Sequence, residues 1–188
     1  RFVELNEGLQ DFSDYTFYNC TSLTSIVIPN TVSVMGDYSF QGCSNLKSVI
    51  IGSKVTVTGV EAFKNCKALD DVTINDGCSS ISRNTFEGCT ALKTISIPGS
   101  VKNIYRSAFK NCTGLESVTL GEGLLELGTQ NYPESGYGVF LGCTSLKSIV
   151  LPSTVLHMYS NTFSGCTSLA SVELNEGLQD FSDYTFYN

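Results

Sequence analysis

The chain has 188 residues, of which 41% are hydrophobic and only 15% are charged, and this balance excludes a disordered chain. Eleven basic against 18 acidic side chains give a net charge of −7, which argues against nucleic acid and anionic membrane surfaces as partners. No apolar run reaches the roughly 18–20 residues of a membrane span, so we expect no membrane insertion.

The same 17 residues, VELNEGLQDFSDYTFYN, occur at Val3–Asn19 and again at Val172–Asn188. The offset between the copies is 172 − 3 = 169, which equals 7 × 23 + 8. The lengths 23 and 8 recur in the cysteine spacing. Seven of the eight cysteines follow one another at intervals of 23, 23, 23, 23, 31 and 23 residues, and 31 equals 23 + 8. These seven are Cys20, Cys43, Cys66, Cys89, Cys112, Cys143 and Cys166. A fixed period of this length predicts stacked supersecondary units, and the long step indicates an insertion of 8 residues within 129–139.

Each column of the repeat predicts a piece of local structure when the cysteine is numbered as position 23. Positions 6 and 8 are apolar with a variable residue between them, as at Ile26 and Ile28, which predicts a short strand with one buried face. Position 9 is Pro, Gly or Asn, which ends the strand. Position 22 is always Gly or Asn, which predicts a left-handed turn. Position 20 is always phenylalanine, at Phe17, Phe40, Phe63, Phe86, Phe109, Phe140, Phe163 and Phe186.

The resulting consensus, L-x-x-[IV]-x-[IL]-[PGN]-x-x-V-x-x-[IM]-x-x-x-[AST]-F-x-[GN]-C, resembles the BspA-like, or Treponema-type, leucine-rich repeat. The stretch LKTISIPGSVKNIYRSAFKNC, from Leu92 to Cys112, matches this repeat at every diagnostic position. We therefore expect a repeat solenoid, a leucine-rich-repeat-like right-handed coil with short parallel β-strands and with one buried Phe and one Cys per coil. Residues 1–188 would form a single solenoid of about eight coils that is a piece of a longer array.

The cysteine column allows three interpretations: disulfides, metal ligands or buried thiols. Adjacent coils would bring the Cα atoms within about 5 Å, close enough for a disulfide, but seven cysteines do not pair evenly. Metal sites usually show C-x-x-C or nearby histidines, and neither is present. We expect a ladder of small buried thiols, with no metal and no cofactor. Cys78 stands at position 12, which is Val32, Val55, Val101 and Val155 in four other coils, and is predicted to be a core residue.

No set of residues predicts catalysis, so we expect no enzyme and no catalytic residue. His157, the only histidine, occupies the variable position 14 and is predicted to lie at the surface, without a supporting carboxylate or amide in the local spacing. Asp70, Asp71 and Asp76 lack the D-x-D-x-D-G spacing of a calcium loop. We interpret these carboxylates as solvated.

Two regions are candidates for binding. Position 7 faces away from the core on the strand, and repeat proteins often bind through such a face; the alternative is a plain solvated sheet. This candidate binding face is Val27, Ile50, Thr73, Ser96, Thr119 and Val150. The insertion resembles a recognition loop, although a tolerated loop extension would cost little. This candidate binding loop is Tyr132, Pro133, Glu134 and Tyr137.

The two copies of the repeated segment agree even at positions predicted to be exposed, such as Gln10 and Gln179, and packing does not require this. Either a larger tandem duplication, whose period would be the whole offset between the copies, or a local gene conversion would explain the match.

Two functional hypotheses follow. The resemblance implies a non-catalytic surface or secreted microbial protein, extracellular although no signal peptide is visible, whose repeats bind protein or extracellular-matrix ligands. The repeated segment favours a structural element of a giant tandem array, or a filament in which neighbouring copies meet end to end.

Overall fold

The computed structural model describes residues 2–128 and 137–187, and shows a parallel β-solenoid of about seven turns. No helix occurs within these two stretches. The predicted coil of short parallel strands is therefore confirmed. The sequence-based count of about eight coils included the incomplete coils at the two ends.

The described residues contain fifteen strands, each two to four residues long. In chain order they are β1 (Phe2–Val3), β2 (Asp11–Phe12), β3 (Ser25–Val27), β4 (Val34–Met35), β5 (Ser48–Ile51), β6 (Asp71–Ile74), β7 (Ser80–Ile81), β8 (Thr94–Ile97), β9 (Asn103–Ile104), β10 (Ser117–Leu120), β11 (Glu126–Leu127), β12 (Ser148–Val150), β13 (His157–Met158), β14 (Ser171–Glu173) and β15 (Asp180–Phe181).

These strands form two faces of the solenoid. On the first face the parallel sheets are β1-β3-β5-β6 and β8-β10-β12-β14, and no ladder joins β6 to β8. On the second face the sheets are β2-β4 and β7-β9-β11-β13-β15. The repeat sets the register, since Ile26 pairs with Val49, which lies one period later in the chain. Across the insertion the register is kept with the longer step, as between Glu126 and His157.

The apolar columns form one continuous core along the stack. Burial alternates along the strands of the first face as predicted: in β8, Ile95 and Ile97 are buried and Ser96 is exposed. Cys78 is fully buried, which confirms its assignment to the core. The residues at positions 6 and 8 are buried on either side of position 7. Their packing fixes the strand backbone that carries the exposed side chain at position 7.

The phenylalanines of position 20 stack on one another through the length of the molecule. Successive rings lie 5.2 to 5.5 Å apart between centroids, from Phe40 to Phe163, with planes within 11° of parallel. The prediction of one buried phenylalanine per coil is confirmed for these six rings. It is wrong at the ends, where Phe17 is half-buried and Phe186 is exposed, because an end coil packs on one side only.

Position 22 has the predicted left-handed backbone, with φ of 61° at Asn65 and 74° at Gly88. A Cβ atom on Gly88 would lie 2.6 Å from Oδ1 of Asn65. The same contact relates Asn19 to Gly42. Asparagine in one coil thus fills the space that glycine leaves open in the next, which explains why these two residue types alternate through most of the column.

A second left-handed position was not predicted from the sequence. Position 18 has φ between 54° and 61° at Tyr15, Tyr38, Glu61, Asn84, Ser107, Asn161 and Tyr184. Such a backbone costs roughly 1–2 kcal/mol for a residue with a side chain. A backbone hydrogen bond between coils holds this conformation. The amide of Tyr15 donates to the carbonyl of Asp37 at 2.9 Å, and the amide of Tyr38 donates to the carbonyl of Val60 at 2.8 Å.

Candidate functional site

The candidate binding face lies along the first face of the solenoid, and all six of its residues are exposed. Val27 and Ile50 are directly paired in β3 and β5, with 44% and 40% of their surfaces exposed. Ile50 pairs in turn with Thr73. The structure therefore places an apolar patch of two side chains at one end of this column, three hydroxyl side chains beyond it and the exposed Val150 at the other end. That this face binds a ligand remains a prediction.

A rim of alternating charge borders this face at position 4. Its members are Lys47, Asp70, Lys93, Glu116 and Lys147. Lys147 Nζ lies 2.5 Å from Glu116 Oε2, and this ion pair lowers the pKa of the Glu116 carboxyl through the hydrogen bond and the charge of Lys147. Because both side chains are exposed, the pair contributes little to stability. Its charges can instead orient a partner laid along the strands.

A hollow of about 410 Å³ lies beside the patch, at the first coil. Its lining includes the apolar Val3, Leu5 and Val27 and the acidic Glu4 and Glu7. A lining that combines apolar side chains with two carboxylates suits a mixed apolar and basic side chain of a partner.

A second apolar pair lies on the other face and was missed by the sequence analysis. Val34 and Val57, both at position 14, are 57% and 43% exposed. The sequence could have indicated this pair, because position 14 is valine in two adjacent coils. The sequence analysis noted only that position 14 is variable. Exposed apolar side chains are therefore present on both faces of the early coils.

The insertion is described only in part. Tyr132, Pro133 and Glu134 of the candidate binding loop lie outside the described residues. Tyr137 is 37% exposed, and the guanidinium carbon of Arg106 lies 5.1 Å from the centre of its ring. The carbonyl of Tyr137 accepts a hydrogen bond from the Ser107 amide at 3.0 Å, so this residue belongs to the regular coil. Its part in recognition remains a prediction.

The cysteine column forms a ladder of free thiols. Each buried thiol donates to the carbonyl of the phenylalanine one coil earlier, as from Cys66 to Phe40 and from Cys89 to Phe63, both at 3.2 Å. Burial raises the pKa of the thiols, to about 11 for Cys43 and to about 12 for Cys112. These thiols are therefore protonated at neutral pH.

The expected ladder of buried thiols is confirmed for six members of the column, from Cys43 to Cys166. It is wrong for Cys20, which is exposed. This cysteine belongs to the first coil, where no described coil supplies the phenylalanine carbonyl that the other thiols use.

His157 has a carboxylate partner that the sequence analysis did not predict. Its Nδ1 lies 3.2 Å from Oδ1 of Asp180 in the adjacent strand, and its ring lies 6.2 Å from that of Tyr159. The sequence contained this signal, because His157 and Asp180 are one period apart and such residues are neighbours in the stack. His157 is partly exposed, with 27% of its side chain accessible.

The described residues offer neither a metal site nor a membrane span. Residues 2–128 and 137–187 contain no group of three or more His, Cys, Asp or Glu side chains placed to hold a metal ion. In the same part of the chain no helix has the length and apolarity needed to span a bilayer.

The period, the core columns and the parallel ladders agree with a known repeat. A family model for the BspA type leucine rich repeat region matches residues 10–136 and 134–188, with six copies. The chain belongs to the BspA-type leucine-rich repeat family. Leucine-rich repeats generally mediate protein–protein interaction, and the repeat family is one of non-enzymatic scaffolds. The comparison with curated proteins found no match.

Solved structures of bacterial proteins share the fold. A leucine-rich repeat protein of Treponema pallidum is 22% identical, with a TM-score of 0.62 over 93% of this chain and 72% of that one. A leucine-rich repeat protein of Eubacterium ventriosum is 21% identical, with a TM-score of 0.60 over 76% and 42%. The pneumococcal vaccine antigen PcpA is 19% identical, with a TM-score of 0.53 over 87% and 48%.

Proposed function

We propose that this chain is a non-catalytic protein-binding module, displayed on or secreted from a microbial cell, with a protein or extracellular-matrix component as its ligand. The observation that carries the proposal is the exposed, in-register pair Val27 and Ile50 on a rigid parallel face. Apolar side chains at the centre of a patch with polar surroundings supply most of the energy in many interfaces. The similarity to a pneumococcal vaccine antigen supports the extracellular part of the proposal.

A pair of matched double variants tests the binding face. Val27→Glu with Ile50→Glu places two charges in the patch, whereas Val34→Glu with Val57→Glu places the same two charges on the opposite face at similar exposure. We expect the first to lower affinity at least tenfold, because a desolvated anchor contributes about 2 kcal/mol or more. The second should leave affinity within about twofold, as rim charges contribute little.

Biolayer interferometry measures binding of the unmodified chain and the two double variants to immobilised fibronectin, laminin and collagen. Circular dichroism shows whether the unmodified chain and both variants are folded. Binding to none of these surfaces contradicts the matrix ligand. Equal loss of affinity in the two double variants contradicts the assignment of the face.

A second function is favoured by a separate observation, namely the 17 residues repeated without substitution at the two end coils. We propose as the alternative that the chain is a structural segment that assembles end to end with further copies. Sedimentation of the 188-residue chain tests this alternative, since assembly requires the mass to rise with concentration. A single species of 20.3 kDa at every concentration contradicts it.

A further inference from the structure

The charges at position 17 of the repeat reverse sign along the stack. In five successive coils this position holds Asp14, Asp37, Val60, Arg83 and Arg106. Along the axis the pattern is two negative side chains, one apolar side chain and two positive side chains. We call these five residues the charge ridge.

Hydrogen bonds between coils hold the members of the ridge in a row. The amide of Asp37 donates to Oδ1 of Asp14, and the amide of Val60 donates to Oδ1 of Asp37, both at 2.8 Å. The carbonyl of Arg83 accepts a hydrogen bond from the amide of Glu61, in the preceding coil, at 3.1 Å. Successive members are therefore one coil apart, about 4.8 Å, and each carboxylate keeps further acceptor sites for another contact.

The charged side chains beside the ridge are already paired with one another. Lys64 Nζ lies 3.1 Å from a carboxylate oxygen of Glu61 and 3.1 Å from one of Glu87, and Gln41 Nε2 donates to Glu61 at 2.8 Å. Arg83 is exposed and takes part in none of the ion pairs formed within residues 2–128 and 137–187. Its guanidinium can therefore pair with a carboxylate of another molecule.

We propose that two copies of this chain associate side by side and antiparallel through the charge ridge, with a two-fold axis at Val60. Asp37 of each copy then faces Arg83 of the other, and Asp14 faces Arg106, so that each ion pair is made twice by symmetry. The two Val60 side chains, partly exposed in the single chain, meet at the centre. A second copy is the partner that fits, because its ridge offers the complementary charges at the same spacing.

The pattern of charges selects one orientation and one register. In a parallel pair each member would face its own counterpart, so Asp37 would meet Asp37 and Arg83 would meet Arg83, and like charges repel. An antiparallel pair shifted by one coil would place charged side chains opposite Val60 and lose ion pairs. The contact uses the same surface on both copies, so association closes at the dimer, whereas end-to-end assembly continues beyond it.

This inference is independent of the binding face proposed above. Val27 and Ile50 lie in strands of the first face, whereas the ridge follows the strands of the second face, as Asp37 follows β4 and Arg83 follows β7. The dimer therefore leaves the candidate binding face uncovered. The net charge of −7 opposes association at long range, but at about 0.15 M salt charges are screened beyond roughly 8 Å, and the ion pairs in contact are screened less.

Reversal of the ridge charges gives the first test. Arg83→Glu with Arg106→Glu makes the ridge acidic throughout, and Asp14→Lys with Asp37→Lys makes it basic throughout. We expect each double variant alone to have an association constant lower by at least about tenfold, because like charges then face each other. An equal mixture of the two should regain the affinity of the unmodified chain, since every pair is again of opposite charge. Sedimentation velocity over a concentration series at about 0.15 M salt gives these values.

Lys93→Glu with Lys147→Glu is the matched control, because it makes the same change in net charge on the rim of the first face. Its association constant should stay within about twofold of that of the unmodified chain. Circular dichroism checks that every variant is folded. A monomer at every concentration, equal loss in the control, or association that the ridge variants leave unchanged overturns the proposal. A mixture that does not regain affinity overturns the antiparallel register.

Cross-linking at the two-fold axis gives the second test, which does not depend on charge reversal. Cys20 is exposed, so the background is Cys20→Ser. In it, Val60→Cys places two thiols opposite each other at the axis, and we expect an intermolecular disulfide under mild oxidation. Val150→Cys, on the first face and 57% exposed in the unmodified chain, is the control and should not cross-link. No disulfide at position 60, or equal cross-linking at position 150, overturns the proposal, and end-to-end assembly alone predicts no disulfide at position 60.

Discussion

Raising the pH from about 8 to about 11 is expected to unfold the whole solenoid in one cooperative step, since that range crosses the ordinary pKa of a thiol. Six thiols of the ladder, from Cys43 to Cys166, are fully buried. Burial raises the pKa of Cys43 to about 11 and that of Cys112 and Cys166 to about 12. It also raises the pKa of Cys66, Cys89 and Cys143.

The sign of the effect follows from proton binding in the two states. Above the pKa of a thiol in the unfolded chain, about 8.5, the unfolded state releases a proton that the folded state retains, so the free energy of unfolding falls as the pH rises. The stabilisation is complete below that pH, and each buried thiol loses about 1.4 kcal/mol per pH unit until its folded pKa is reached. Six thiols together lose roughly 8 kcal/mol per pH unit, which compares with a typical total stability of about 5–15 kcal/mol. We therefore expect the midpoint of unfolding at about pH 10.

The measurement is a pH titration in reducing buffer that follows circular dichroism together with the ultraviolet absorbance of thiolate. Loss of the β signal and appearance of thiolate should occur in the same step, and return to neutral pH should restore the fold. A β signal that persists while the thiolate absorbance rises gradually would contradict a sealed thiol ladder.

Phe86→Ala is expected to destabilise the chain by about 3–5 kcal/mol, the usual cost of truncating a fully buried aromatic side chain. Phe86 stacks between Phe63 at 5.5 Å and Phe109 at 5.4 Å, so the substitution leaves a gap in the middle of the aromatic stack. In a repeat protein this weakens the contacts between two neighbouring coil pairs at once.

Phe186→Ala is the matched control, because this residue has the same position in its coil but is exposed and stacks on Phe163 alone among the phenylalanines of that column. We expect it to cost only about 1 kcal/mol, the scale of one aromatic pair. Urea unfolding followed by circular dichroism gives both values. Similar losses for the two variants would show that the interior of the stack does not determine stability.

Much of the fold could be predicted from the sequence, because the repeat fixes which residues are neighbours. The buried column of Phe40, Phe63 and Phe86, the left-handed turn at Asn65 and the exposure of Val27 and Ile50 all follow from residue type and position. In each case the residue type itself reports its environment, as an invariant large apolar side chain or as one of the few residues that tolerate positive φ.

Other features could not be read from residue type. Position 18 is left-handed although it holds Tyr15, Glu61 and Ser107, because a backbone bond between coils, rather than a side-chain preference, holds that conformation. The contact between His157 and Asp180 could be predicted from their separation of 23 residues, which makes them neighbours in the stack. The residues around each of them give no sign of it. Phe12 is buried and Phe181 is exposed although their segments are identical, so residue type carries no signal of this difference.

Within the described residues the chain is a continuous stack whose interior coils are covered on both sides, whereas coils 3–19 and 172–187 each have one described neighbour. Native-state amide hydrogen exchange of the full chain at low concentration, resolved by peptide mass spectrometry, tests this central claim most directly. Amides of the interior turns, such as Phe86 and Phe109, should exchange only through global unfolding, and those of both end coils should exchange orders of magnitude faster. Exchange of the interior coils as rapid as that of residues 3–19 would contradict the claim.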